Sequence, residues 1–176
     1  MREITISAER EYTVQFVDGA LKKLSDETAD RQVCVIVSKN VLRVIGSLPE
    51  AWNTVIVPDG EEQKSGATFL HCLEEMSRLG LNRAAVVIGI GGGATTDLAG
   101  FVAASYMRGV EWIAVPTSLA AMVDAAIGGK TGINLASGKN LAGAFHSPFA
   151  VMIDTAFLDS LPERDLVAGM AEVAKC

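Results

Sequence analysis

The stretch that decides the fold of this chain is Val86-Val-Ile-Gly-Ile-Gly-Gly-Gly-Ala-Thr-Thr-Asp-Leu-Ala-Gly100, an apolar run that breaks into glycines and resumes with a helical pattern. Nothing polar interrupts residues 84–90, which is typical of a strand buried on both faces of a parallel sheet. Because Gly91, Gly92 and Gly93 carry no Cβ, the turn can adopt positive φ and an anion can approach its amides closely. The pattern predicts strand, phosphate-binding turn and helix, although consecutive glycines also occur in ordinary tight connections.

The spacing of Gly89, Gly91 and Ala94 can be fitted to the dinucleotide-binding fingerprint, but its context argues against that assignment. The fingerprint follows the first strand of its fold, and an acidic residue ends the next strand about 20 residues later. Here a long stretch of chain precedes the motif, and Glu111 begins the next apolar run instead of ending it. Asp97, expected in the first turn of the helix, could favour the helix N-terminus electrostatically or accept a hydrogen bond from a ligand hydroxyl.

Composition limits the classes of protein to which the chain can belong. With 176 residues, 49% apolar and 20% charged, it is long and apolar enough for one globular domain with a core. A net charge of -6 and the lack of a basic run argue against a nucleic-acid surface. No apolar run reaches the ~20 residues of a membrane span, and nothing resembles a targeting segment. Cys34, Cys72 and Cys176 lie far apart, which favours free thiols in a reducing compartment and hence the cytoplasm.

Strand and helix patterns alternate along the chain. Residues 2–17 alternate as an N-terminal edge hairpin would, and the apolar stripe of residues 65–79 is typical of a core-facing helix. This order predicts a Rossmann-like, doubly wound, mainly parallel α/β sheet whose crevice lies at the carboxyl ends of the strands, where Ser38 to Asn40 fall. The other predicted strands are residues 33–37, 54–57, 111–116 and 149–153, and the other helices are residues 21–27, the segment from the glycine turn to about 107, and 165 to the terminus.

Two charged pairs have an ordinary structural explanation. Glu61 and Lys64 lie just before a helix, where a solvated capping pair is expected. Glu172 and Lys175 are three residues apart on the last helix, a spacing typical of an exposed ion pair. The residues alone therefore give neither pair a functional role.

A segment dense in glycine, lysine and amide side chains follows the strand that ends near Pro116. Lys130 and Lys139 are suited to phosphate, while Asn134 and Asn140 can donate and accept as sugar hydroxyls require. So much flexible polar backbone favours a ligand site, and a solvated surface loop is the alternative.

Taken together, these motifs resemble the 3-dehydroquinate synthase family of sugar phosphate cyclases. The resemblance implies an NAD-binding α/β domain over residues 1–160 and the start of a helical metal and substrate domain over residues 161–176. It also implies a cytoplasmic, homodimeric enzyme of the shikimate pathway that uses NAD and a divalent metal, zinc or cobalt, and acts on a sugar phosphate. The motifs are Asp59-Gly-Glu61-Glu-Gln-Lys64-Ser, Gly91-Gly-Gly-Ala-Thr-Thr-Asp97-Leu-Ala-Gly100, Tyr106-Met-Arg108-Gly, Pro116-Thr-Ser, Met122-Val-Asp124, Gly128-Gly-Lys130-Thr-Gly-Ile-Asn134, Gly138-Lys-Asn140 and Leu161-Pro-Glu-Arg164 through Ala171-Glu-Val-Ala-Lys175.

The resemblance also implies roles for individual residues. Arg108 would reach the substrate phosphate of a neighbouring subunit, Lys175 would lie beside the substrate carboxylate, and Glu172 would be a metal ligand. Four residues would line the carbocycle: Asp124, Lys130, Lys139 and Asn140. NAD would be held by Asp59, Glu61, Lys64, Gly91, Gly92, Gly93, Asp97, Thr117, Ser118, Phe157, Ser160 and Leu161, with Lys130 and Lys139 shared between cofactor and substrate.

The chain departs from the family pattern at several points. Ser118 replaces a usual threonine, Thr96 a usual glycine, and Ser38 to Asn40 replace an acidic or amide residue near the adenine ribose. In the family a C-terminal helical domain supplies two histidine metal ligands, whereas His71 and His146 are not expected to be ligands, so the chain alone is expected to lack turnover. The alternatives are an aminodehydroquinate or valiolone-type sister cyclase, a polyol dehydrogenase relative and a non-catalytic NAD-binding module.

Overall fold

A computed structural model describes residues 2–8 and 10–175, and the predicted free thiol of Cys176 lies outside the described residues. Within them, no helix is long and apolar enough to cross a bilayer. The strands are β1 (Arg2–Ile6), β2 (Tyr12–Phe16), β3 (Val33–Ser38), β4 (Asn53–Val57), β5 (Val86–Gly91), β6 (Glu111–Pro116), β7 (Lys130–Leu135), β8 (Gly138–Phe145) and β9 (Ala150–Ile153). The helices are α1 (Ala20–Glu27), α2 (Lys39–Ile45), α3 (Gly66–Arg78), α4 (Gly93–Ser105) and α5 (Glu163–Lys175).

The main sheet has seven strands in the order β1-β2-β9-β6-β5-β3-β4. Only β1 is antiparallel to its neighbour, so the predicted edge hairpin and the mainly parallel sheet are both confirmed. The chain passes from β3 out to β4 and then returns to the other side of β3 as β5. The strand order therefore reverses between β3 and β5, and a ligand crevice is expected outside their carboxyl ends.

Both faces of the sheet are covered, which explains the uninterrupted apolar strands. In β3, Cys34 and Ile36 face the core cluster that contains Met76 of α3 and Leu98 of α4. Val35 faces the opposite cluster, which contains Leu24 of α1. Alternate residues of one strand thus fill two cores, as the doubly wound arrangement requires.

Helix α2 was not predicted from the sequence. Ser38, the last residue of β3, is its N-cap and accepts a hydrogen bond from the N–H of Val41 at 3.5 Å. Gly46, with φ of 79°, lies at its C-cap. The helix spans only seven residues, and none of them is fully buried. Val41, Leu42 and Ile45 pack against the core, but a stripe over seven residues is too short to give a strong helical pattern.

The expectation of a flexible loop over the glycine-rich segment is wrong, because β7 and β8 form an antiparallel hairpin. Gly132 lies opposite Gly143, and a Cβ on Gly143 would be 2.0 Å from the carbonyl oxygen of Thr131. On the neighbouring helix α4, a Cβ on Gly100 would be 2.3 Å from Thr131 Cγ2. The glycines allow close packing of the two strands on each other and on α4.

Glu111 provides a pH-dependent contact at the amino end of β6. Its carboxylate accepts hydrogen bonds from Arg31 at 2.7 Å and from Arg10 at 3.3 Å. Burial alone would raise the pKa of Glu111, but the two arginines outweigh it and lower the pKa below its ordinary value. A lowered pKa stabilises the fold above the unfolded-state pKa, and that stabilisation is lost as pH falls through the folded-state pKa.

We therefore expect Glu111→Gln to lower the melting temperature at pH 7, with a loss of about 1 kcal/mol or less because the contact is partly exposed. The difference between variant and parent should shrink as the pH falls through the lowered folded-state pKa, where the parent carboxyl also becomes protonated. Thermal unfolding monitored by circular dichroism over a pH series measures both effects. Glu62→Gln, at an exposed carboxylate, is the control, and an equal effect at Glu62 would contradict the assignment to the arginines.

Candidate functional site

The predicted strand, turn and helix around the glycines are confirmed. Strand β5 ends at Gly91, and α4 begins at Gly93 with Gly92 as its N-cap. The N–H groups of Gly93 and Ala94 lie in the first helical turn, where no intrahelical acceptor exists, and a helix N-terminus favours an anion. This turn is therefore the candidate phosphate-binding element.

The positive φ that glycine permits is not used in this turn, since none of Gly91, Gly92 and Gly93 has it. Their lack of a Cβ serves close packing instead. A Cβ on Gly91 would lie 2.4 Å from Thr95 Oγ1, and one on Gly93 would lie 2.9 Å from the Cβ of Ala125. The turn is thus fitted closely to α4 and to the segment that follows β6.

Lys64 lies at the centre of the site and is only 4% exposed. Its Nζ donates to Asp97 Oδ2 at 2.5 Å and to Asn140 Oδ1. The interpretation of Glu61 and Lys64 as a solvated capping pair is therefore wrong. Lys64 instead joins the segment after β4, helix α4 and the hairpin through one buried ammonium group.

Asp97 lies beyond the first turn of α4, so the predicted place for it is wrong. Burial raises the pKa of Asp97 above its ordinary value, and the hydrogen bond from Lys64 offsets part of that rise. A buried carboxylate and ammonium require each other, because either charge alone would be left without a partner. The contact therefore fixes the relative positions of Lys64 and α4.

The tip of the hairpin is tied to the same segment through Asn134. Its backbone N–H donates to the carbonyl of Lys64 at 2.8 Å, and its Nδ2 donates to Glu61 Oε1 at 2.8 Å. Its Oδ1 accepts from the N–H of Asn140 at 2.9 Å. Lys139, also at the tip, lies 3.9 Å from Glu61 and is exposed. The amide-rich sequence pattern predicted sugar hydroxyls as the partners of Asn134, and nothing in that pattern indicates these contacts.

A cleft of about 490 Å³ opens between α4, the hairpin and the helical turn Ala121–Ala125. Ala125 lines it and would contact a Cβ on Gly93, so the cleft adjoins the glycine turn. The apolar lining from β8, in which Phe145 is 73% exposed, was not predicted from the sequence. A ligand there would meet hydrogen-bonding groups on one side and apolar surface on the other. Polar lining comes from Asp97, Asp124, Lys130 and Asn140, and apolar lining from Leu141 and Phe145.

Other predicted NAD contacts surround the turn without lining the cleft. The N–H of Thr117 donates to the carbonyl of Gly91 at 2.9 Å, and Ser118 Oγ would lie 3.4 Å from a Cβ on Gly92. Asp59 accepts from the N–H of Asn40 at 2.9 Å, at the ends of β4 and β3.

A second group of predicted site residues lies farther along the chain. Phe157, Ser160 and Leu161 belong to or follow the turn Thr155–Ser160 after β9, where Ser160 Oγ donates to the carbonyl of Phe157 at 2.9 Å. Phe157 packs against the buried core.

Arg108 is exposed after α4, with φ of 67°.

The described residues do not form a complete metal site. On α5, Lys175 donates to Glu172 at 3.0 Å, the ion pair expected from their spacing. Across residues 2–8 and 10–175, no group of three or more His, Cys, Asp and Glu side chains could hold a metal ion. His146 Nε2 lies 3.0 Å from the carbonyl oxygen of Val110, and His71 is exposed on α3. Glu172 as a metal ligand stays a prediction.

A sequence model for the N-terminal part of 3-dehydroquinate synthase matches residues 54–168, more than half of the chain. The chain belongs to the 3-dehydroquinate synthase family. The resemblance inferred from the motifs is thereby confirmed, and a polyol dehydrogenase relative is disfavoured.

One curated relative and two solved structures show what the chain is similar to. A 3-dehydroquinate synthase from Rhodococcus opacus (strain B4) is 46% identical over 180 residues, covering 98% of this chain and 49% of the relative. A crystal structure of 2-deoxy-scyllo-inosose synthase complexed with carbaglucose-6-phosphate, NAD+ and Co2+ has a TM-score of 0.84 and 29% identity, covering 99% of this chain and 50% of that one. The structure of ValA, a 2-epi-5-epi-valiolone synthase from Streptomyces hygroscopicus subsp. jinggangensis 5008 with NAD+ and Zn2+ bound, has a TM-score of 0.84 and 28% identity. The match covers 96% of this chain and 49% of that one.

The chain spans about half the length, or less, of the curated relatives it matches.

Proposed function

We propose that this chain is the NAD-binding half of a 3-dehydroquinate synthase. The complete enzyme would convert 3-deoxy-D-arabino-heptulosonate 7-phosphate to 3-dehydroquinate and phosphate in the shikimate pathway. The observation that carries the proposal is the buried Lys64, which joins Asp97 beside the glycine turn to Asn140 in the polar cleft. One ammonium group thus links the place for a nucleotide to the place for a sugar phosphate. The 46% identity to a 3-dehydroquinate synthase supports the same assignment.

The residues around the glycine turn fit NAD. The pyrophosphate would accept hydrogen bonds from the N–H groups at the start of α4, where the missing Cβ of Gly92 leaves room beside Ser118. Glu61, Lys64 and Asp97 would then meet the nicotinamide ribose. Bound NAD would supply reversible hydride transfer at a ring carbon of the substrate, with no net change in the cofactor. The more distant contacts would be those of Asp59, Thr117, Ser118, Phe157, Ser160 and Leu161.

The cleft residues would bind and orient the sugar phosphate. Lys130 is exposed at the cleft, and its ammonium group would hold the phosphate and stabilise the charge that develops as the carbon–oxygen bond breaks. Asp124 and the amide of Asn140 would bind ring hydroxyls, and Lys139 lies at the hairpin tip beside Glu61. Leu141 and Phe145 would exclude water along one wall. The chain's contribution to this reaction is chiefly positioning.

Helix α5 supports the proposed boundary at residue 161. It buries only Gly169, against Leu119 and Ala120, while Met170 and Val173 are 54% and 40% exposed. An apolar helix face of this kind suits packing against a further domain. In the proposed enzyme that domain would complete the metal site around Glu172, and Lys175 would contact the substrate carboxylate. Arg108 would reach a neighbouring subunit of a cytoplasmic homodimer.

A chimaera tests the proposed activity. This chain would replace the matching half of the Rhodococcus opacus 3-dehydroquinate synthase, and release of phosphate and 3-dehydroquinate would be followed with NAD and Zn2+ or Co2+. We expect turnover without net NADH formation, and none from the 176-residue chain alone. Lys130→Ala in the same chimaera is expected to abolish turnover. A chimaera that unfolds cooperatively yet does not act on the heptulosonate phosphate contradicts the proposal.

A sister cyclase is the second candidate, because the two solved structures described above are an inosose synthase and a valiolone synthase. The identity to those structures, 29% and 28%, is lower than the 46% identity to the 3-dehydroquinate synthase, which favours the heptulosonate phosphate. Offering the chimaera a panel of hexose and heptulose phosphates distinguishes the candidates. A higher kcat/KM for another sugar phosphate would support the sister cyclase.

A further inference from the structure

The regular pairing of the hairpin is interrupted near its tip, opposite Asn134. Ile133 pairs with Ala142 and Leu135 pairs with Gly138, so the register shifts across Asn134. Between these pairs β7 contributes one residue and β8 contributes three, residues 139–141, so the extra residues bulge from β8 and Asn134 lies outside the paired register. The N–H of Asn134 is accordingly donated to the carbonyl of Lys64, outside the hairpin, at 2.8 Å. The irregularity therefore connects the hairpin to the segment after β4.

The side-chain amide of Asn134 makes two further contacts, one through its nitrogen as donor and one through its oxygen as acceptor. Nδ2 donates to Glu61 Oε1 at 2.8 Å, and Oδ1 accepts from the N–H of Asn140 at 2.9 Å. Both ends of the amide thus have protein partners, and Asn134 does not line the cleft. These contacts also orient two residues of the proposed NAD and sugar phosphate site.

Asn140 depends on such support because its backbone is in the left-handed region, with φ of 56°. Asparagine tolerates this conformation better than most residues, but it still needs surrounding contacts to persist. In this conformation Asn140 donates its N–H to Asn134 and presents Oδ1 to Lys64 Nζ. The same residue therefore links the hairpin tip to the buried ammonium group.

We infer that Asn134 is a positioning residue. It holds the hairpin tip against the segment that contains Glu61 and Lys64. It thereby orients Glu61 and Asn140 towards the ligands without itself contacting a ligand. The inference rests on the proposed function for the identity of the ligand, NAD. A residue with a merely structural role would affect the stability of the chain but not the NAD affinity of the folded molecules. A positioning residue affects both the order of the hairpin and the affinity.

The test uses Asn134→Ala in the 176-residue chain. Amide hydrogen exchange without NAD should become faster across residues 134–140, and calorimetry well below the melting temperature should show NAD binding weakened about tenfold, the effect of losing one hydrogen bond to a charged group. The matched control is Asn82→Ala, because Asn82 also accepts from a backbone N–H, that of Ala84 at 2.8 Å, in a turn that does not line the cleft. That variant should keep the parent's NAD affinity.

A double variant tests the contact itself. Asn134→Asp combined with Glu61→Gln keeps the acceptor for Asn140 and exchanges donor and acceptor across the contact with position 61. Hydrogen exchange across residues 134–140 should return towards the parent rate.

Two results would overturn the inference: unchanged exchange in Asn134→Ala, or faster exchange with unchanged NAD affinity. If the parent chain does not bind NAD, the proposed function fails. Faster exchange in Asn134→Ala and its reversal in the double variant would still support the positioning of the hairpin.

Discussion

Replacing Lys64 by methionine should lower the free energy of unfolding by about 2 to 3 kcal/mol and weaken NAD binding at least about a hundredfold. The stability loss follows because Asp97 would remain largely buried without its cation, and breaking a buried ion pair is strongly destabilising. The binding loss follows because Lys64 connects Asp97 and Asn140, and both would lose their common partner. Urea unfolding and calorimetry measure the two effects separately.

Adding Asp97→Asn to Lys64→Met removes the unpaired charge and provides the control. Much of the lost stability should return, since no buried ion is left without a partner, whereas NAD affinity should not return. A double-mutant cycle over the two positions gives the coupling energy. Full NAD affinity in Lys64→Met would contradict the central place of Lys64 in the site.

Gly143→Ala should open the β7–β8 hairpin and remove one wall of the cleft. The added Cβ would lie 2.0 Å from the backbone oxygen of Thr131 and 2.9 Å from the Cα of Gly132, so the two strands would have to separate. Forcing atoms into a packed region costs typically about 1 to 3 kcal/mol and sometimes more. NAD affinity should fall because Asn140 lies on the displaced strand. Hydrogen exchange across residues 130–145 and thermal unfolding measure these effects.

Gly138→Ala is the control for that variant, in the same strand. Its Cβ would meet only the side chain of Leu141, with Cδ1 at 3.0 Å and Cγ at 3.6 Å, and this flexible side-chain end can move away. The main sheet is built from other strands, so the far-ultraviolet circular dichroism of both variants should stay close to that of the parent. Equal hydrogen exchange in Gly143→Ala and Gly138→Ala would show that the close approach at Gly143 does not hold the hairpin together.

The parts of the fold that were predictable from the sequence are those with a strong local pattern. Strand β5 has an uninterrupted apolar run and α3 an apolar stripe, and both were placed within two residues of their observed bounds. Helix α2 was missed because it is short and only partly covered. The hairpin was missed because its glycines suggested flexibility, while in the fold they allow Thr131 to approach both Gly143 and Gly100 closely.

The site was only partly predictable for a different reason. The motifs identified Lys64, Asp97 and Asn140 as site residues, but they are far apart in the sequence, and nothing local indicates that one ammonium group binds the other two side chains. Local reasoning made Lys64 a solvated residue, since lysine is seldom buried without a partner and the partner was not evident. Asn134 depends on a register shift that only the pairing of β7 with β8 defines. Contacts between distant segments therefore decide what local patterns leave open.

Calorimetry of NAD binding to the 176-residue chain, with and without zinc, tests the central claim most directly. The arrangement of the glycine turn, Lys64 and the hairpin predicts that NAD binds with the same affinity in both conditions, because these elements are complete within the described residues and no metal site is. Lys64→Met should remove most of that binding. Absence of NAD binding by the folded parent chain, or binding only in the presence of zinc, would contradict the account.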